Sequence, residues 1–216
     1  MLLRQLLTKP IATSVASVSV GSVSKYAKMA EKSAVVLLAN GSEEMEFTIS
    51  VDVLRRAGVK VTVAGVNCDG PATCSRGVVI QPDMSLQEAA LKGPYDAVVL
   101  PGGLDGSQAF SSSAEVGNLL KDQEKEGRLI AAICAAPLAL KNHRIGIGKN
   151  VTCYPSVKDN ISSDYQYSNE KTVVHDGNIL TSQGPGTAFE FALHIAKELV
   201  GEEKVSAVKE GLLLKN

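Results

Sequence analysis

From residue 33 onward, continuous apolar runs alternate with stretches in which apolar side chains recur every three or four positions. Such runs have the length of strands buried on both faces, and the recurring stretches have the period of helices packed along one side. Residues 33–39 (Ser-Ala-Val-Val-Leu-Leu-Ala) are the first run. Asn40-Gly41-Ser42 breaks it, and Ser42 is placed to cap a helix that reaches about Ala57, with Glu43 and Glu44 in its first turn and Gly58 closing it. Residues 59–66 read as a second strand, 67–75 as a turn-rich connection, 78–80 as a short strand and 85–91 as a short helix. Residues 95–100 are another buried strand, ending in Pro101-Gly102-Gly103, and a helix is predicted over 114–126. The run 129–133 precedes a helix whose first turn takes Pro137, because the N–H that proline lacks has no partner there.

Residues 145–183 carry short β-like pieces at 150–153, 172–175 and 179–181, with Asp176-Gly177-Asn178 as a hairpin turn. Gly184-Pro185-Gly186-Thr187 opens a helix over 188–199, and an amphipathic segment at 203–213 packs back on the body. Strands alternating with helices make this an α/β protein with a mostly parallel sheet covered on both faces.

Residues 1–30 differ from the rest. They carry Arg4, Lys9, Lys25 and Lys28, no acidic residue, and many Ser, Thr and Ala. Two readings stand for this basic extension: a mitochondrial transit peptide, or a disordered segment with no address. Met29 offers an internal start. The net charge of −1 provides no basic field for nucleic acid or an anionic membrane, and the absence of Trp argues against base-stacking platforms. No apolar run is long enough for a membrane-spanning helix. Cys68, Cys74, Cys134 and Cys153 lack paired C-x-x-C spacing, so reduced thiols are expected rather than a zinc site or a disulfide framework. Neither a dinucleotide fingerprint nor a P-loop occurs, and no cofactor or metal is expected.

In an open parallel sheet, sites form outside the carboxyl ends of strands. Three features fall at such ends: Gly41-Ser42-Glu43, Pro101-Gly102-Gly103, and Cys134. Cys134 lies in the turn between strand and helix, where unpaired N–H groups favour a thiolate; a small buried hydrophobe is the alternative. Glu46, Ile49, Val53 and Ala57 share one helix face, which puts a carboxyl in an apolar stripe and favours its protonated form. The Gly103 and Ala135 N–H groups are candidate oxyanion donors. His143, His175 and His194 are not placed by spacing as a base for Cys134.

These residues also carry a resemblance. Gly41-Ser42-Glu43-Glu44-Met45-Glu46, the segments 51–58 and 93–103, Ala131-Ala132-Ile133-Cys134-Ala135, and Gly184-Pro185-Gly186-Thr187-Ala188-Phe189-Glu190-Phe191 resemble the ThiJ/PfpI superfamily, which is related to class I glutamine amidotransferase domains. The resemblance runs from about residue 32 to the C-terminus. It implies a flavodoxin-like three-layer sandwich, one domain over 31–216 and a homodimer. It implies Cys134 as nucleophile, a protonated Glu46 hydrogen-bonded to it, and Gly103 and Ala135 as backbone donors. Cofactor-free glyoxalase and deglycase activities on methylglyoxal-type 2-oxoaldehydes and glycated amines follow from it. So do oxidation of Cys134 to a sulfinate in a stress-sensing role, a redox-dependent chaperone role, and cytoplasmic residence with mitochondrial and nuclear pools.

A cysteine peptidase, as some members are, is a further alternative. Relatives often place histidine where this chain has Tyr154, which leaves Cys134 and Glu46 as the working pair. Ala136 stands where many have glycine, and Gln81 replaces a family cysteine, whereas Cys74 keeps another.

Overall fold

Residues 31–68 and 70–215 are described by a computed structural model. The readings of residues 1–30 and of Met29 lie outside these residues. The chain runs β1 (Ser33–Leu38), α1 (Glu44–Arg56), β2 (Lys60–Gly65), β3 (Ala72–Thr73), β4 (Val79–Ile80), β5 (Met84–Ser85), α2 (Leu86–Leu91), β6 (Ala97–Leu100), α3 (Leu104–Ser112) and α4 (Ala114–Lys125). It continues through β7 (Leu129–Ile133), α5 (Pro137–His143), β8 (Asn150–Val151), α6 (Lys158–Ile161), β9 (Gln166–Tyr167), β10 (Val173–Asp176), β11 (Ile179–Ser182), α7 (Ala188–Val200) and α8 (Glu202–Gly211).

Seven strands form the central sheet in the order β10-β11-β7-β6-β1-β2-β5. Every pairing in it is parallel except that of β10 with β11, a hairpin whose two-residue turn is Gly177-Asn178. Helices α1, α7 and α8 cover one face, and α2 to α5 cover the other. This is the expected flavodoxin-like α/β arrangement.

The apolar runs explain the middle of the sheet. Ala34 to Leu38, Ala97 to Leu100 and Ile130 to Ile133 are all 0% exposed, which continuous hydrophobicity requires of strands covered on both sides. Each fully buried Leu or Ile among them contributes roughly 2 kcal/mol by leaving water. Strands β1, β6 and β7 are consecutive neighbours, with Val36 paired to Val99 and Val99 to Ala131. The chain leaves β1 for β2 on one side and returns to β6 on the other, so a crevice opens between the carboxyl ends of β1 and β6.

Two local expectations are corrected. The cap of α1 is Glu43, whose carboxylate accepts the Glu46 N–H at 2.8 Å, whereas the Ser42 hydroxyl accepts the Ala39 N–H and finishes the turn. Helix α3 was not foreseen, because its glycine and serines make poor helix formers and only Gly106, Ser107 and Phe110 are buried.

Candidate active site

Cys134 follows the last residue of β7 with φ +64°, a left-handed value that L side chains resist. Backbone bonds hold it there. Its N–H donates to Ser182 O at 3.0 Å, its carbonyl accepts the Tyr154 N–H at 2.8 Å, and the Ala136 N–H donates to Ile133 O at 3.0 Å. A strained residue of this kind costs about 1–3 kcal/mol and persists only where its surroundings over-determine it. The result is an elbow that presents Sγ toward the crevice, with the N–H groups of Gly103 and Ala135 hydrogen-bonded to the sulfur.

Glu46 reaches the same point from α1. Its side chain is fully buried, Oε2 accepts the Gly102 N–H at 2.6 Å, and the carboxyl lies beside the Cys134 thiol, close enough for each to influence the other's ionisation. Its Oε1 has no hydrogen-bond partner. Gly102 makes this meeting sterically feasible: a Cβ there would lie 2.5 Å from Cys134 Cβ and 2.7 Å from Glu46 Oε2. Gly103, at φ +83°, would drive a Cβ into the Gly41 carbonyl oxygen.

Burial raises the Glu46 carboxyl to about 7, against the opposing hydrogen bonds from Gly102 and Cys134. Burial, and then the charge of an ionised Glu46, push the Cys134 thiol up to about 12, while the Gly103 and Ala135 N–H groups pull it down. The expectation of a thiolate favoured by a helix terminus is therefore corrected. Helix α5 has only seven residues, and burial outweighs the neighbouring N–H groups at the sulfur, with the charge of an ionised Glu46 adding to it. A proton held on Glu46 removes the repelling charge and turns the carboxyl into a donor toward sulfur.

The raised Glu46 value also makes stability depend on pH. The folded state holds this proton more tightly than the unfolded chain, so the stabilisation is complete below about 4.5 and is lost as pH rises through about 7. Glu46→Gln removes that loss. Its stability relative to wild type is expected to rise by on the order of 3 kcal/mol between pH 4.5 and pH 7.5. Urea unfolding of both proteins at the two pH values measures it; a pH-independent difference would contradict a buried, protonated Glu46.

The crevice is a cleft of about 510 Å³ bordered by Glu43, Arg76, Gly103, Leu104, Cys134 and Tyr154, among others. All four expected site residues thus meet: Cys134, Glu46, Gly103 and Ala135. Glu44 was expected to be an ordinary first-turn acid and is not. It is 7% exposed and clamps the loop after β3, accepting from the Ser75 hydroxyl at 2.9 Å and the Arg76 N–H at 2.8 Å. Burial works to raise its carboxyl, but these donors outweigh it and hold the group below the usual range. Arg76 on that loop and Leu104 on α3 line the cleft without any local sequence signal, because their approach depends on how loops fold over the sheet edge.

The histidines lie elsewhere. His143 Nε2 bonds Phe110 O, His175 faces Glu198 at 3.7 Å, and His194 Nδ1 bonds Glu190 O. A larger groove of about 980 Å³ runs beside β10, but no thiol lines it. Among the described residues no group of three or more His, Cys, Asp or Glu side chains could hold a metal ion, and no helix is long and apolar enough to cross a membrane.

The sequence pattern described as the DJ-1/PfpI family matches residues 32–198. Protein dj-1beta of Drosophila melanogaster is 58% identical over 183 residues, which cover 85% of this chain and 97% of that protein. A Caenorhabditis elegans protein named glutathione-independent glyoxalase DJR-1.2 is 41% identical over 187 residues, covering 86% of this chain and 98% of that one. The crystal structure of Drosophila melanogaster DJ-1beta superposes with a TM-score of 0.84 at 57% identity, covering 86% of this chain and 100% of that chain.

Proposed function

The chain belongs to the DJ-1/PfpI family, and on that premise we propose that it is a cofactor-independent glyoxalase and protein deglycase acting on methylglyoxal-type 2-oxoaldehydes and their amine adducts, with Cys134 as nucleophile. The observation that carries this reading is the buried Glu46 carboxyl, held through one oxygen by Gly102, with its other oxygen unpartnered and the Cys134 thiol beside it. The name of the nematode relative supports the reaction class.

In the proposed reaction the thiol proton passes to the Glu46 carboxylate as Sγ attacks. Sγ adds to the aldehyde carbon, and the new alkoxide takes the Glu46 proton, giving a hemithioacetal. The Glu46 carboxylate then removes the proton from that carbon and returns it to the neighbouring carbonyl carbon as the electrons shift through an enediol. The product is a 2-hydroxyacyl thioester. Water cleaves the C–S bond, releasing a 2-hydroxy acid and restoring the thiol. A carboxyl with a value near 7 can both give and take a proton at neutral pH. The Gly103 and Ala135 N–H groups, beside the sulfur, stabilise the alkoxide. An amine adduct enters the same sequence when Sγ displaces the amine, which leaves with a proton. The purified chain with methylglyoxal and no glutathione is expected to form lactate; no lactate between pH 6 and 8 would refute the reading.

A second role uses the same sulfur. Cys134 opens on the cleft and has two N–H groups beside it that can hold sulfinate oxygens, whereas Cys153 and Cys74 do not line that cleft. We propose that Cys134 is an oxidation sensor. One peroxide oxidises the thiolate to sulfenate and a second takes it to sulfinate, each being reduced to water. Mass spectrometry after mild peroxide is expected to find two added oxygens on Cys134, with Cys74 and Cys153 unchanged. Equal oxidation of all three would argue against sensing.

The homodimer and the cytoplasmic, mitochondrial and nuclear residence implied by the resemblance belong to this proposal. Exposed Met45, Val78 and Val79 support the first. No histidine lines the Cys134 cleft, which leaves a peptidase without a base for its thiol.

A further inference from the structure

We propose that Leu104, Tyr154 and Pro185 form a subsite for the carbon substituent of the substrate, so that the protein prefers uncharged, aryl-substituted 2-oxoaldehydes to methylglyoxal and to anionic analogues. This inference rests on the glyoxalase reading of the same cleft.

The cleft is much larger than methylglyoxal fills and lies in the size range that takes drug-sized ligands. Its borders differ in chemistry. Part of the lining is apolar: Leu104 is 65% exposed, Tyr154 is 46% exposed, and Pro185 also lines the cleft. Large apolar side chains left in water around a reactive group mark a place where a ligand gains by covering them. The tyrosine is well placed for this. Its N–H is bonded to the Cys134 carbonyl, and its ring lies against Gly184, where a Cβ would be 3.3 Å from ring atom Cδ2. The ring is thereby fixed to the elbow that carries the nucleophile. A substrate aryl group attached one carbon beyond the attacked aldehyde can meet it edge-on or offset.

The polar part of the border holds two carboxylates, Glu43 and Asp105, and one guanidinium, Arg76. The guanidinium is engaged with Ser75 O, and the Glu43 carboxylate with the Glu46 N–H. The border is therefore net negative toward an incoming ligand, which disfavours a substrate bearing a carboxylate.

Steady-state kinetics of the full chain with methylglyoxal, phenylglyoxal and 4-carboxyphenylglyoxal tests the proposal. The wild-type KM for phenylglyoxal is expected to be about two- to tenfold below that for methylglyoxal, the range an aromatic contact provides. The added carboxylate should raise it again. Tyr154→Ala should lower the phenylglyoxal-to-methylglyoxal ratio of kcat/KM by a similar factor, mainly through KM, and Tyr154→Phe should keep it, because a ring contact does not use the hydroxyl. Equal losses on both substrates in Tyr154→Ala, or a Tyr154→Phe protein no better than the alanine variant, would overturn it.

A second measurement needs no turnover. Cys134 alkylation by 2-chloroacetophenone and by chloroacetone forms an S–C bond as chloride leaves, and each rate is divided by that of a small free thiol. The aryl reagent should be favoured in wild type and lose its advantage in Tyr154→Ala. If that ratio holds while neither oxoaldehyde is turned over, the glyoxalase reading fails and the subsite stands. If lactate forms but neither ratio favours the ring, the subsite fails and the glyoxalase reading stands.

Discussion

Cys134→Ser is expected to lower lactate formation from methylglyoxal by about 10³-fold or more while leaving the fold intact. The substitution exchanges sulfur for oxygen at one position and keeps the backbone bonds that hold the φ +64° elbow. What it removes is an atom that ionises far more readily than a hydroxyl and is the better nucleophile. A serine hydroxyl starts far above a thiol in pKa, and the burial that already opposes a charge on Cys134 opposes an alkoxide there more strongly. Glu46, near 7, is too weak a base to generate one. Lactate assays with matched urea midpoints separate the catalytic effect from unfolding. Activity within tenfold of wild type in Cys134→Ser would remove the nucleophile from the proposed reaction.

The second large effect is expected from Glu46→Gln, which should lower kcat by about 10²- to 10⁴-fold, the range that positioned proton transfer contributes. The amide side chain can still accept the Gly102 N–H, so geometry is kept. It cannot take a proton from one substrate carbon and return it to the next. Addition of sulfur to the aldehyde should continue and the sequence should stall there. Intact-protein mass spectrometry is expected to show an accumulated substrate adduct without lactate. Because the same substitution is expected to gain stability relative to wild type as pH rises through 7, matched urea midpoints at pH 7.5 separate the lost turnover from a weakened fold. Unchanged kcat would mean that the buried carboxyl serves packing alone.

Both expectations depend on a pair whose members lie far apart in the chain, and the sequence reached each by a different signal. Glu46 stood out because a carboxyl shared a helix face with Val53 and Ala57, and both of those are buried. Cys134 stood out because a buried run stopped just before it and Pro137 opened a helix just after it. Periodicity and proline chemistry are local, so they could be read without coordinates. Helix α3 could not be read this way. Its stability comes from Gly106, Ser107 and Phe110 packing against distant elements rather than from its own propensity. Glu44 was misjudged for a related reason, since nothing in the first turn of a helix announces that a loop thirty residues on will donate to it.

By itself, then, the sequence determined the buried strands, the parallel architecture they demand, and the positions of the thiol after a strand's end and of the carboxyl in a helix's first turn. Hydrophobic burial is the largest force in folding and acts through patterns that a linear chain displays. Only the tertiary structure decided that Glu46 lies against Cys134, that burial raises both the carboxyl and the thiol, and that Tyr154 and Leu104 border the same cleft. Protonation and access depend on distance and on excluded water, and those quantities exist only once the chain has closed on itself.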